Sequence, residues 1–178
     1  LDRTFNYNPR RAKELLRLFL EFSPDICFHL EIHPALLSEE LKKELRQLPA
    51  GLLHLEAGIQ SLREPVLEKS RRIGKLSDAL EGLKFLCSLS NMETHADLIA
   101  GLPLYRLDEI FEDIYTLAGY RAGEIQLESL KLLPGTEMRN RADELGIRYS
   151  PLPPYEVLQT GEISVGELQT ARRLSRLL

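Results

Sequence analysis

Thr94-His95-Ala96-Asp97-Leu98-Ile99-Ala100-Gly101-Leu102-Pro103 begins as a strand and ends as a turn. Up to Ile99 it alternates: His95 and Asp97 fall on one side, Thr94, Ala96 and Leu98 on the other, because residues two apart share a strand face. Three more stretches repeat the pattern. Ile26–Ile32 sets Cys27, His29 and Glu31 against Ile26, Phe28, Leu30 and Ile32. Leu52–Ala57 sets His54 and Glu56 against Leu53 and Leu55, and Glu124–Leu130 sets Gln126 and Glu128 against Ile125 and Leu127. A parallel strand covered by helices on both faces reads as a nearly continuous Val/Ile/Leu run. These four do not. One face meets helices, and the other, polar and ionisable, lines a barrel lumen or an open concave wall that takes a polar ligand.

Helical patterns fill the intervals between these strands. Asn8 caps a helix with Pro9 at its first position, and Ala12, Leu15, Leu16, Phe19 and Phe22 make its buried stripe before Ser23-Pro24 ends it. Ser38 opens a helix carrying Leu41, Leu45 and Leu48, closed by Pro49 and Gly51. A short helix near Pro65–Arg71 has Ser61 and Glu64 in capping-box spacing, and Ser77 starts another bearing Leu80, Leu83 and Cys87. Asp108–Ala118 turns Ile110, Phe111, Ile114 and Leu117 inward, with Gly119 at its end. Thr136 caps a helix that stops at Gly146. Ser150-Pro151-Leu152-Pro153-Pro154-Tyr155 is a loop too proline-rich for a regular element. Ser164, with Glu167 three residues on, begins the last helix. One helix, four strand-helix units and a final helix imply parallel strands joined by right-handed crossovers: an α/β sheet or part of a (β/α) barrel.

The 178 residues are 43% hydrophobic and 28% charged, a balance typical of globular proteins. With 27 acidic against 23 basic side chains the net charge is -4, which argues against a nucleic-acid partner. No apolar run approaches the roughly 20 residues of a bilayer span, and no leader opens the chain, so the expectation is a cytoplasmic protein with no membrane partner. Leu1-Asp2-Arg3-Thr4-Phe5-Asn6 lacks an initiator methionine and reads as a strand running into a loop, while Ala171–Leu178 is a helical pattern with no stop signal. Both ends are those expected of a piece of a longer protein. Two cysteines, Cys27 and Cys87, make neither a disulfide framework nor a C-x-x-C pair.

Unpaired carboxylates on a covered face cost several kcal/mol each, so Glu31, Glu56 and Asp97 need partners. His29, His54 and His95 can pair with them in a satisfied polar core. The same inventory fits a first-row metal site, and a metal-dependent barrel hydrolase using His29, His54, His95 and Asp97 is one alternative. The spacing offers no H-x-H or H-E-x-x-H pair, and the sequence assigns no metal ligand. There is no G-x-S-x-G elbow, and neither cysteine has an electropositive neighbourhood in sequence. A non-catalytic binding domain with an internally paired polar face is the other alternative.

Three strings follow the strand ends: Glu56-Ala57-Gly58-Ile59-Gln60-Ser61-Leu62, Asp97-Leu98-Ile99-Ala100-Gly101-Leu102-Pro103 and Leu132-Leu133-Pro134-Gly135-Thr136. In this order and spacing the chain resembles, over essentially its whole length, the radical S-adenosylmethionine superfamily. Asp2-Arg3-Thr4-Phe5-Asn6 and Pro153-Pro154-Tyr155 resemble its cobalamin-binding branch, which includes magnesium-protoporphyrin IX monomethyl ester cyclase-like Fe-S oxidoreductases. The resemblance implies a partial TIM-type barrel, approximately strands three to six, with a tail over residues 150–178. It implies that Glu31 meets the amino group of S-adenosylmethionine and that Gln60 lines the substrate and cofactor side. Arg72 meets the cofactor's carboxylate as a fork-shaped donor, Asp97 its ribose, and Gly101 and Pro103 shape the backbone beside its adenine.

Two features depart from the family pattern. The C-x-x-x-C-x-x-C loop that holds a [4Fe-4S] cluster is absent from these residues, and Leu104-Tyr105-Arg106 stands where many relatives have a small residue and a threonine. For the intact protein the resemblance implies S-adenosylmethionine and a [4Fe-4S] cluster, cobalamin through an upstream domain, a small-molecule substrate, and a flavodoxin or ferredoxin as electron donor. There the cofactor carries the radical chemistry, and the barrel orients it and excludes water. These residues alone are expected to be inactive.

Overall fold

In the computed structural model, which describes residues 4–22 and 26–178, the four alternating stretches form one parallel sheet of order β1-β2-β3-β4. The strands are Phe28–Ile32 (β1), Leu53–Gln60 (β2), Glu93–Ala100 (β3) and Glu124–Ser129 (β4). The expected strand end at Leu1–Arg3 and the helix stop at Ser23-Pro24 lie outside the described residues. β2 runs three residues further than the sequence indicates, through Gly58-Ile59-Gln60. The helices are Pro9–Glu21 (α1), Glu39–Gln47 (α2), Glu64–Lys69 (α3), Leu76–Cys87 (α4), Leu107–Ala118 (α5), Glu137–Asn140 (α6) and Val165–Ser175 (α7). Among the described residues no helix is long and apolar enough to cross a membrane.

The chain divides into two compact units. The first takes in residues up to Ile59 together with Gly74–Ala96 and Leu117–Glu124. Asn8 caps α1 as expected, its side chain accepting from the Arg11 N–H, and Ala12 and Leu16 are buried on the inner stripe. Ser38 caps α2 through the Leu41 N–H, and the Asn91 side chain completes the other end by donating to the Leu45 and Leu48 carbonyls at 3.0 and 2.8 Å. That exchange satisfies two carbonyls that a helix end leaves open. The apolar strand residues Ile32, Leu53, Leu55, Ala57 and Ala96 are buried. Phe28 stacks on Phe19 at 4.0 Å between ring centroids. The Asn6 side chain both donates to the His33 carbonyl at 2.9 Å and accepts from its N–H at 2.8 Å, which ties the start of the chain to the end of β1.

The second unit takes in Gln60–Ile73, Asp97–Thr116 and Ile125–Leu178. Its core includes Leu98, Leu102, Tyr105, Ile110, Leu127, Leu132, Val157 and Leu168. The proline-rich segment is a loop, as expected, but it joins a short antiparallel pair that the sequence does not reveal, Arg148–Tyr149 (β5) and Val157–Gln159 (β6). Ser164 and Glu167 form the capping box of α7 in full.

Three helix starts differ from expectation. Ser61 does not cap α3, whose N-cap is Arg63 with no side-chain cap; its hydroxyl accepts from the Arg63 N–H and donates to Asp113. Lys75 rather than Ser77 precedes α4. Thr136 precedes a helix of four residues, and its hydroxyl donates to the Leu133 carbonyl instead of receiving the helix's N–H groups. On α5 the buried stripe is Ile110, Asp113 and Leu117, while Phe111 is 45% exposed rather than inward.

Candidate functional site

Parallel pairing of β1 with β2 in the register His29↔His54 and Glu31↔Glu56 turns the period-two alternation into lateral neighbours on one polar face. The His29 and His54 rings stack with centroids 4.7 Å apart. His54 Nε2 lies 3.1 Å from His95 Nδ1 on β3. Glu56 Oε2 stands 3.1 Å from His29 Nε2 and 3.8 Å from His95 Nε2, and Glu93 Oε2 stands 4.0 Å from His54 Nδ1. Cover increases from the edge strand inward: the side chains of His29, His54 and His95 are 52%, 28% and 2% exposed. Burial, with the His54 and His29 imidazoles adding to it, pushes His95 below the ordinary histidine range against the pull of Glu56 and Glu124.

The expected pairing of histidines with carboxylates is therefore realised unevenly. Glu56 serves His29 and His95 together, and His54 pairs with another imidazole. Glu31 is exposed on the same face, one ladder position from Glu56. His33, by contrast, is structural, its Nδ1 accepting from the Ala35 N–H to cap the turn Pro34–Leu36.

The other assigned residues belong to the second unit. Gln60 ends β2 with φ 74°, and Leu104 follows Pro103 with φ 66°. A non-glycine side chain in this left-handed region is strained, and such outliers gather at functional sites. Asp97 is 5% exposed on β3. Gly101 has φ 93°, and a Cβ there would meet Val157, Leu130 and Leu168 at 3.3–3.6 Å, so both conformation and packing call for glycine. Pro103 is buried, and Arg72 is half-buried with its N–H donating to the Leu67 carbonyl beyond α3.

Both strained loops are held by a carboxylate that the sequence reading overlooks. Asp113, 1% exposed, accepts from the Leu62 N–H at 2.7 Å, the Tyr105 hydroxyl at 2.6 Å, Arg63 Nε at 2.9 Å and Ser61 Oγ at 3.3 Å. One side chain thus fixes the segment after Gln60 and the segment after Leu104 to α5. The only sequence signal is a charged residue three after Ile110 and four before Leu117, in register with the apolar stripe.

No family model matches the chain. It is 27% identical over 148 residues to the heme chaperone HemW of Bacillus subtilis (strain 168), covering 83% of this chain and 38% of that protein. The solved structure of the radical S-adenosylmethionine methyltransferase TsrM from Kitasatospora setae, with cobalamin and a [4Fe-4S] cluster bound, shares its fold at TM-score 0.66 and 18% identity, over 86% of this chain and 33% of that one. Escherichia coli coproporphyrinogen III oxidase (HemN), described as a radical SAM enzyme, shares it at TM-score 0.58 and 15% identity, over 79% and 38%. The chain thus spans well under half of each of these three proteins. These likenesses show the fold, parallel strands alternating with helices as in a partial TIM-type barrel, and they lend nothing to the metal-dependent hydrolase alternative.

Proposed function

We propose that this chain is the part of a radical S-adenosylmethionine enzyme's barrel that holds S-adenosylmethionine. The observation that carries the reading is the fold shared with TsrM over 86% of the chain, with the Gly58-Ile59-Gln60-Ser61 and Gly101-Leu102-Pro103 strings at the C-terminal ends of β2 and β3. Chemistry in such barrels sits at those strand ends.

The donor set suits that molecule. Glu31 offers a carboxylate to an ammonium, Arg72 a planar fork to a carboxylate, and Asp97, in a largely water-excluded position, an acceptor to ribose hydroxyls. Gly101 and Pro103 shape the backbone beside the adenine, and Gln60 faces the substrate side. The strain at Gln60 and Leu104, held by Asp113, is in keeping with pre-organised loops.

A [4Fe-4S] cluster does not fit the thiols present: Cys27 is exposed just before β1, and Cys87 is half-buried at the end of α4. Cluster ligands would come from outside these residues. With a cluster, S-adenosylmethionine supplies radical-initiating chemistry, and this chain's part is to bind and orient it and to exclude water. The finer placement is the cobalamin-binding branch, supported by TsrM. A tetrapyrrole substrate of the magnesium-protoporphyrin ester class is in keeping with relatives named as a heme chaperone and a coproporphyrinogen oxidase.

Calorimetric titration of the chain with S-adenosylmethionine tests the reading. Saturable binding is expected, weakened by roughly tenfold or more in Asp97→Asn and in Arg72→Ala, the equivalent of about 1.4 kcal/mol for each tenfold. No binding, or binding that both variants leave unchanged, would refute it.

A further inference from the structure

The imidazoles near the start of the strands form an arrangement that the S-adenosylmethionine reading does not use. His29 and His54 are the second residues of β1 and β2, and His95 is the third of β3, whereas the loop strings follow the other ends of β2 and β3. His29 Nε2 and His95 Nε2 approach one oxygen, Glu56 Oε2, at 3.1 and 3.8 Å. One ligand atom from each of the three residues lies within 4.8 Å of the other two. Around a tetrahedral ion with ligand bonds near 2.0–2.1 Å, ligand atoms stand about 3.3 Å apart. Two edges of the triangle are already close to that length. The third closes by rotation of His29, which sits on an edge strand and is half exposed.

The surrounding groups can set the correct tautomer. His54 Nδ1 faces Glu93 Oε2 at 4.0 Å, and a proton placed there leaves His54 Nε2 as acceptor for the His95 Nδ1–H at 3.1 Å. His95 Nε2 then presents its lone pair toward Glu56 and His29. A ligating imidazole that donates its other N–H to a neighbour is the usual outer-shell arrangement of metal sites. A cavity of about 340 Å³ lined by Cys27, Leu53, Asn91 and Glu93 adjoins His54.

We propose that His29, Glu56 and His95 form a binding site for a first-row divalent cation of the zinc class, oriented by His54 and Glu93. The sequence supplies the inventory of histidines and carboxylates, but the ligands come from three strands, and only register decides that Glu56 stands with His29 and His95. Two nitrogens and one carboxylate oxygen suit zinc, cobalt or ferrous ions over calcium or magnesium, and three protein donors leave a position for water or a small ligand.

Titration of the chain with Co²⁺ alone, followed by displacement with Zn²⁺, is the test. One equivalent is expected to bind, giving the visible absorption of a low-coordinate cobalt site without a thiolate charge-transfer band. Cys27→Ser leaves the spectrum unchanged. His29→Ala, at an exposed position where the fold tolerates truncation, and Glu56→Gln each weaken binding by tenfold or more, with circular dichroism unchanged. Zn²⁺ raises the thermal midpoint of the parent chain but not that of His29→Ala. Absence of saturable binding, or binding that survives both substitutions, overturns the site. S-adenosylmethionine titration of the same two variants reads the other proposal separately.

Discussion

Asp113 carries a full carboxylate in a place with almost no water, and four donors make that tolerable: two hydroxyls, a backbone N–H and a guanidinium. Truncation to alanine strands the Leu62 N–H, the buried Tyr105 hydroxyl and one arm of Arg63, whose other arm goes to Glu112. Removing one partner of a buried charged network costs about 3–5 kcal/mol. Asp113→Ala is therefore expected to lower stability by that amount in chemical denaturation, and Asp113→Asn by less, since an amide oxygen still accepts from the backbone. A loss under about 1 kcal/mol for alanine would mean that the loops are held by other contacts. The residue was hidden in the sequence for a physical reason. Helical periodicity ranks side chains by hydropathy, which favours Phe111 over Asp113 as the inward residue, and three of the four donors that reverse that ranking lie about fifty residues upstream in Ser61–Arg63.

Elements set by local chemistry were legible, and those set by distant partners were not. Asn8, Ser38 and Ser164 cap their helices because the side-chain oxygen and the N–H groups it serves are within three residues. Ser61 and Thr136 have the same spacing signals, yet their hydroxyls go to Asp113 and Leu133. The strands were legible from their alternation, but which histidine meets which carboxylate depends on strand order and register. Gly82 shows the same limit inside a helix: α4 packs so closely on the turn Pro34–Leu36 that a Cβ there would lie 2.1 Å from the Pro34 carbonyl oxygen. Gly82→Ala replaces a poor helix former with the best one, which alone would stabilise by about 1 kcal/mol. The clash with backbone outweighs this, because neither partner can rotate away, and overpacking costs typically 1–3 kcal/mol. A net loss of stability with unchanged helix content is the expected result in thermal melts followed by circular dichroism. A stabilised Gly82→Ala chain would contradict the close approach of α4 to the turn.

At the scale of the molecule, a fold shared with TsrM, whose structure carries a [4Fe-4S] cluster, meets a chain holding two cysteines. The four parallel strands account for half of the eight in a closed barrel, and these 178 residues fall short of the roughly 250 such a barrel takes. The parts present are the polar strand face and the loops at the strand ends; a triad of thiolates is not among them. A cluster needs thiolates converging on one point, and these two sit in different settings, Cys27 exposed before a strand and Cys87 at a helix end where burial pushes its thiol up and makes it a poorer ligand. Anaerobic reconstitution of the chain with iron and sulfide is therefore expected to leave no cluster absorbance near 400 nm, roughly where sulfide-to-iron bands fall. The imidazole site makes the control informative. Ferrous ion without sulfide is expected to bind at one equivalent and to be lost in His29→Ala, so iron content alone does not decide the matter, whereas acid-labile sulfide does. A stoichiometric cluster carrying labile sulfide would show that two thiols and a nitrogen or carboxylate ligand suffice here, and the proposal that cluster ligands come from outside these residues would fall.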